Sequence, residues 1–526
     1  MRRRRLLQST LGVATALAMP AVARAQDKNL LKFIPQSDLA ATDPVWTTAD
    51  VTRNFGFMVY DTLYGLDTKY RAQPQMVQGH TVSSDAKQWD LTLRDGQKFH
   101  DGTPVLARDA VASIQRWAKR DGFGGQLMAA TDEISAASDK VIRFRLKRPF
   151  PLLPDALATP TDMCCIVPER LAQTDPNKQM PEVVGSGPFR FLPSERISGA
   201  KIACARNTAY QPRQEPTSFT AGGKPVHFDR VEWTVVPDPA TASAALSSGE
   251  VDWWEDPSLD LVPTLTHDHS LVVTVKDHSG EIGCLRFNQM YPPFDNPAIR
   301  RVVVEAVNQQ NFMQAVAGSV PNLIKTGIGL FAAASPYASN VGVDTMKGDA
   351  DPAALKQALA AAGYKGERVV VLGAADFPTI TAIALVGADM MRKIGLNVDY
   401  QSMDWGTVVQ RRESKSPPDK GGWNVFFTFL GGTGNIIPAA DIAIRSGPNA
   451  WFGWPRSTRQ QALLTSWFSA PDLAAQQKVM RELQADFFQD PSYAPLGMYS
   501  MPTAFKRTLT GIPEGFPLFY GVKRTP

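Results

Sequence analysis

Residues 351 to 402 constrain the fold more than any other stretch of the chain. "DPAALKQALAAAGY" has helical spacing, with Pro352 near its start and Gly363 at its end. "ERVVVLG" reads as a strand, "FPTITAIALVGADMMRKIG" as a helix ending at Gly395, and "LNVDYQSM" as a second strand. Helices alternating with strands predict an α/β lobe with at least partly parallel pairing. In such sheets a ligand sits beyond the carboxyl ends of the strands.

The first third reads differently. "VTRNFGFMVYDTLYGLD" has helical apolar spacing, ending near Gly65. Trp89, Leu91 and Leu93 alternate as a half-buried strand should, and Asp95-Gly96 and Asp101-Gly102 mark turns before a helix. "KVIRFRLKRPFP" alternates again. This is an α+β section rich in hairpins. After a loose polar stretch at 171–181, "VVGSGPFRFLP" reads as a crossing between lobes, followed by a strand in "FDRVEWTVVP" and a helix in "TASAALSSGEVDWWED". With 526 residues, two or three lobes are expected.

The segment "YPPFDNPAIRRVVVEAVNQQNF" starts a helix abruptly. Asn296 can cap the first turn, and Pro297 follows where a missing N–H costs nothing. Ile299, Val302, Val303, Ala306 and Val307 then form one apolar face.

The first 25 residues read as an export signal: a basic start, an apolar middle too short to anchor in a bilayer, and Ala23-Arg24-Ala25 as the cleavage site. Arg3-Arg4-Arg5-Leu6-Leu7 also fits a twin-arginine signal loosely, so the general secretory and twin-arginine routes both stay open. No cysteine follows the site to carry a lipid. The leader holds five arginines and no acid, so the formal charge of +4 becomes −1 in the mature chain, 50 basic residues against 51 acidic. A near-neutral protein is a poor partner for nucleic acid or an anionic membrane.

Enzyme chemistry is hard to find. G-x-S-x-G, H-E-x-x-H and P-loop motifs are absent. "GSGPF" at 185–189 lacks the full dinucleotide pattern, and no Cys or His set has zinc spacing, so neither a cofactor nor a metal is expected. His100-Asp101 reads as a turn, His267 and His269 as a polar loop, and Glu255-Asp256 as an acidic pair on a solvated loop. Cys164, Cys165, Cys204 and Cys284 read as buried thiols, with disulfide pairing left open. Aromatics beside glycines stand out instead, as in "GGWNVFFTFLGGTG" and "NAWFGWP"; these suit a cleft around an organic ligand, although most single rings are expected in the core.

Five segments together resemble the family 5 solute-binding proteins of bacterial ABC importers, the group containing dipeptide-, oligopeptide- and nickel-binding proteins. They are "QWDLTLRDGQKFHDGTPVLARDAVAS", "GSGPFRF", "LRFNQMYPPFDNPAIRRVVVEAVNQQNF", "MMRKIGLNVDYQSMDWGTVVQR" and "PLGMYSMPTAFKRTLTGI", in the family's order over nearly all of the mature chain. The resemblance implies an α/β, two-lobed, type II-like periplasmic-binding-protein fold with an extra α+β subdomain in the first lobe. By position, lobe I takes 26–72, 188–275 and 487–526, the subdomain 73–187, and lobe II 276–486. It also implies a periplasmic, non-enzymatic monomer that captures a peptide-like or other small organic solute between the lobes. The solute would then be delivered to a membrane ABC permease. An oligosaccharide or aromatic-compound binder of the same fold, and a secreted hydrolase, are the alternatives.

Matching the family's ligand-facing segments points to Trp46, Asp38, Asn288, Phe429, Thr433 and Tyr499 as the site. One departure matters. Peptide-binding members hold the ligand's ammonium with an acid in a stretch that corresponds here to "FFTFLGGTGN". Phe429 replaces a tryptophan there, and Gly431, Gly432 and Thr433 stand where the acid would be. Unless Asp441 or Asp38 substitutes, the cleft is expected to reject free amino ends.

Overall fold

The computed structural model describes residues 29–318, 320, 322–447 and 450–525, apart from the side chain of Thr433. The leader and its cleavage site lie outside these residues. No helix among them is long and apolar enough to cross a membrane.

Three sheets organise the described chain. The first has seven strands in the spatial order Leu271–Thr274, Thr503–Lys506, Trp253–Trp254, Leu30–Ile34, Arg230–Thr234, Lys201–Arg206 and Phe189–Phe191. Leu30–Ile34 lies at its centre, parallel to both neighbours. Phe33 anchors the core there, with the rings of Trp233, Trp253 and Phe519 at 5.3, 5.1 and 5.0 Å.

The second sheet has six strands: Ile324–Lys325, Tyr493–Tyr499, Glu281–Phe287, Val425–Gly431, Arg368–Ala374 and Asn397–Met403. Arg368–Ala374 runs parallel to both neighbours. Its crossover helix, Pro378–Lys393, buries Ile380, Ile383, Ala384 and Met391. The preceding helix, Pro352–Ala361, is capped by Asp351, whose carboxylate accepts the Ala353 N–H at 3.0 Å. The parallel α/β pattern read from 351–402 therefore holds.

A third, antiparallel sheet of four strands, Val77–Val82, Gln88–Leu93, Val141–Leu146 and Thr131–Ala136, forms the core of the extra subdomain with helix Ala107–Trp117. Asp95-Gly96 and Asp101-Gly102 turn with φ of +75° and +89° at glycine.

The chain passes from the first sheet to the second between Thr274 and Glu281 and returns between Tyr499 and Thr503. The return comes later than the boundary at 487 read from the sequence, because Tyr493–Tyr499 hydrogen-bonds to Glu281–Phe287 in the second sheet.

Two elements are shorter than their periodicity predicts. The helix expected to reach Gly65 is Asp50–Val59, and Tyr64–Leu66 is a strand. Gly65 packs on the backbone of Thr220, where a Cβ would lie 2.4 Å from the carbonyl oxygen, and Thr220 Oγ1 accepts the Leu66 N–H at 2.7 Å. Likewise the helix in 241–256 stops at Ser248, with Gly249 left-handed, and Trp253–Trp254 enters the first sheet.

The abrupt start at "PPFD" has its explanation in packing. Asn296 Oδ1 accepts the Ala298 N–H at 2.9 Å to begin helix Pro297–Glu305, whose Ile299, Val302, Val303 and Val304 are buried. Arg300 of the same helix donates from Nε to the Pro491 carbonyl at 2.9 Å, holding the segment that leads back into the second sheet. The four cysteines are buried free thiols.

Candidate functional site

The two chain crossings bring acids from separate elements into one cavity of about 140 Å³. Strands Leu30–Ile34 and Trp253–Trp254 run parallel, so their carboxyl ends deliver Gln36 and Glu255-Asp256 to the same edge. Helix Asp50–Val59 contributes Asp50 and Arg53 from its first turn. The crossings add Lys276, Asp277, Ser279 and Met501, and the second lobe closes the wall with Glu281 and Gly432.

Glu255 is fixed in place. Asn54 Nδ2 donates to its Oε1 at 2.6 Å and the Gln36 N–H to its Oε2 at 2.8 Å. It is only 4% exposed and Asp256 beside it is partly buried, so the pair read as solvated on a loop lines the cavity instead. The reason is the strand Trp253–Trp254, which carries the chain inward immediately before the acids.

The charges do not balance locally. Arg53 pairs with Asp50 at 2.8 Å, and its guanidinium lies 4.0 Å above the Phe516 ring. Lys276 turns to Glu514, at 2.7 Å. Among the described residues no basic side chain forms an ion pair with Glu255, Asp256, Asp277 or Glu281. Burial pushes the Glu281 carboxyl up to about 8, helped by Asp50, Asp277 and Asp256. Burial also raises Glu255 and Asp256, with Asp256 adding to the first and Asp50 to the second. Such carboxyls resist ionising together until a cation joins them.

Among the described side chains, none of the residues expected from the sequence lines this cavity. Phe429 and Tyr499 come together edge to face, with centroids 5.0 Å apart. Tyr499 pairs across the strands with Glu281, so the two rings stand just behind the acidic wall. Gly432 lines the cavity; the side chain of its neighbour Thr433 lies outside the described structure.

Asn288 is fully buried and supports lobe II. Its Nδ2 donates to the Trp423 carbonyl at 2.8 Å, and its Oδ1 accepts the Met290 N–H at 3.0 Å. Trp46 is 37% exposed on a turn whose N–H donates to the Asp43 carbonyl. Asp38 is partly exposed on the loop after Ile34, and its carbonyl accepts the Ala40 N–H. Asp441, the substitute acid considered from the sequence, is buried in lobe II and accepts the Ala443 N–H at 2.8 Å. Acids thus reach the cavity from elements other than "TFLGGTGN", the stretch in which the sequence comparison sought a counter-charge for an amino group.

Several known proteins share this architecture. The family described as bacterial extracellular solute-binding proteins, family 5 Middle, matches residues 71–441. A probable peptide ABC transporter periplasmic-binding protein of Sinorhizobium fredii, y4tO, is 35% identical over 532 residues, covering 99% of each chain. The solved structure of the ABC transporter substrate-binding protein CtaP of Listeria monocytogenes superposes with a TM-score of 0.78 at 17% identity, covering 95% of this chain and 100% of that one. A dipeptide-binding protein of Pseudoalteromonas sp. SM9913, solved with Met-Leu, superposes at 0.72 and 20% identity, covering 94% and 100%.

Proposed function

Because the chain belongs to the bacterial extracellular solute-binding proteins, family 5, we propose that it captures a peptide-like solute bearing a free amino or other cationic group. The solute is held between the lobes and handed intact to a membrane ABC permease. The protein works as a secreted monomer in the periplasm, without chemistry on its cargo, after the leader is cut following Ala25.

The observation that carries this reading is the excess of acid in the interlobe cavity, where five carboxylic side chains meet Arg53 and Lys276, and where Glu255, Asp256, Asp277 and Glu281 form no ion pair with a basic side chain among the described residues. A primary ammonium supplies three N–H donors and one positive charge, which matches converging carboxylates. Two charges 4 Å apart at an effective dielectric near 20 attract by roughly 4 kcal/mol. The neutral oligosaccharide or aromatic ligands considered from the sequence leave these acids uncompensated. The names of the relatives that bind peptides point the same way.

Mass spectrometry of what co-purifies with the periplasmic protein from its host tests the reading. An intact amine-bearing peptide-like molecule, bound one to one, is expected. A neutral sugar, or a product cleaved by the protein, contradicts it.

A further inference from the structure

A second contact joins the lobes away from the cavity. Helix Gly122–Ala130 leads directly into strand Thr131–Ala136 of the extra subdomain, and helix Thr458–Trp467 packs with Leu473–Gln489, which leads into the second sheet. Between them sit four rings. Phe123 of the subdomain lies 6.0 Å from Trp467 and 5.8 Å from Phe468 of lobe II, and Phe150 of the subdomain stacks on Phe468 at 6.4 Å with planes 19° apart. All four are buried, with Phe468 the most exposed at 8%. None lines the cavity or lies in either crossing.

We propose that these rings form a closure latch: an aromatic contact made when the lobes come together and broken when they part, which sets how much of the empty protein is closed. This rests on the reading that the cavity fills by lobe opening. The cavity is walled by both lobes and holds about 140 Å³, so a solute the size of a dipeptide is seated only if the lobes separate, and the subdomain has no covalent link to lobe II. Rotation about the crossings at 275–280 and 500–502 must therefore part this surface. In the open form Phe123 and Phe468 would face water.

The geometry favours a discrete contact over a gradual one. Edge-to-face and offset rings hold their attraction only near contact distance. The chain also approaches closely nearby: a Cβ on Gly122 would sit 3.2 Å from Arg445 Nη2 of lobe II. A latch outside the cavity adds the same increment to binding of every solute, whatever its chemistry.

The test uses the full mature chain without added solute. Spin labels on exposed positions of the subdomain and lobe II report the interlobe distance distribution. Wild type is expected to populate the short distance found here. Phe468→Ala and Phe123→Ala are each expected to reduce the closed-to-open ratio about tenfold or more. The double variant should open further than either single one but by less than their sum, because both singles lose the Phe123–Phe468 pair while each leaves one other ring pair across the lobes. Phe468→Leu, a milder change, should shift the ratio in the same direction, which keeps the test usable if an alanine variant fails to fold. Unchanged distances in folded variants, or additive opening in the double, would overturn the latch. The readout needs no ligand, so a wrong assignment of the solute would leave it unaffected.

Discussion

Glu281 offers the sharpest perturbation. Its carboxyl is raised from 4.5 to about 8 by burial beside Asp50, Asp277 and Asp256. A group whose folded pKa is raised stabilises the fold below the unfolded value and loses that contribution as pH rises toward the folded value. At pH 7.5 the unfolded chain carries this acid ionised, three units above its usual pKa, which at 1.36 kcal/mol per unit sets an upper figure of ~4 kcal/mol. Water reaching the half-buried side chain screens part of this, leaving ~2–4 kcal/mol. Glu281→Gln keeps the shape and removes the charge, so the empty variant should melt higher at pH 7.5 and unchanged at pH 4. With ~2.1 cal/mol/K of unfolding entropy per residue over some five hundred residues, the rise is about 2–4 °C. The same variant should bind the dipeptide Met-Leu about 10- to 150-fold more weakly than wild type, the worth of one charged hydrogen bond of ~1.5–3 kcal/mol. Thermal melts of the empty protein and calorimetry with the dipeptide read the two effects. A lower melting temperature at pH 7.5, or an unchanged dissociation constant, refutes the reasoning, because a merely structural glutamate would not trade stability against binding.

Affinity for an amine-bearing ligand should rise between about pH 6 and 8, with protons released on binding, since the cation favours ionised Glu255, Asp256 and Glu281; calorimetry in buffers of different ionisation heat measures the release, and proton uptake would contradict it. Lys224 and Asp61 form a fully buried pair at 2.7 Å, so Lys224→Met should cost about 3–5 kcal/mol by stranding the carboxylate. Adding Asp61→Asn should recover most of it, as urea unfolding would report. Burial holds Cys165 and Cys284 up at about 12, and all four thiols are enclosed; a thiol reagent at pH 8 should label none in the native protein and four in denaturant.

Much of the scaffold was legible because it rests on local signals. The alternation in 351–402, the Asn296 cap with Pro297 behind it, and the Asp-Gly turns each depend on residues close in sequence, and each folds as read. The site was not legible in the same way. Glu255 and Asp256 look like an ordinary acidic loop until Trp253–Trp254 pairs with Leu30–Ile34, more than two hundred residues earlier, and turns them inward. Two adjacent tryptophans ahead of the acids were the available signal, since one side of that pair had to be buried with the other. Glu281 opens a strand that is apolar apart from Arg286, and only the crossing from the first lobe brings it into the cavity with Glu255. Matching the family by segment brought Phe429 and Tyr499 to the back of this wall. It placed Asn288 beside the cleft, whereas its amide is consumed by backbone groups of lobe II.

The central claim is that the cavity recognises a positive charge. Titration calorimetry at pH 7.5 of the mature protein with Met-Leu and with its N-acetylated form, which differ by one ammonium, tests it most directly. The free dipeptide is expected to bind measurably and to lose about 100-fold or more in affinity on acetylation, as when buried carboxylates lose their only mobile partner. Equal affinities for the two forms, or tighter binding of the acetylated one, would contradict it.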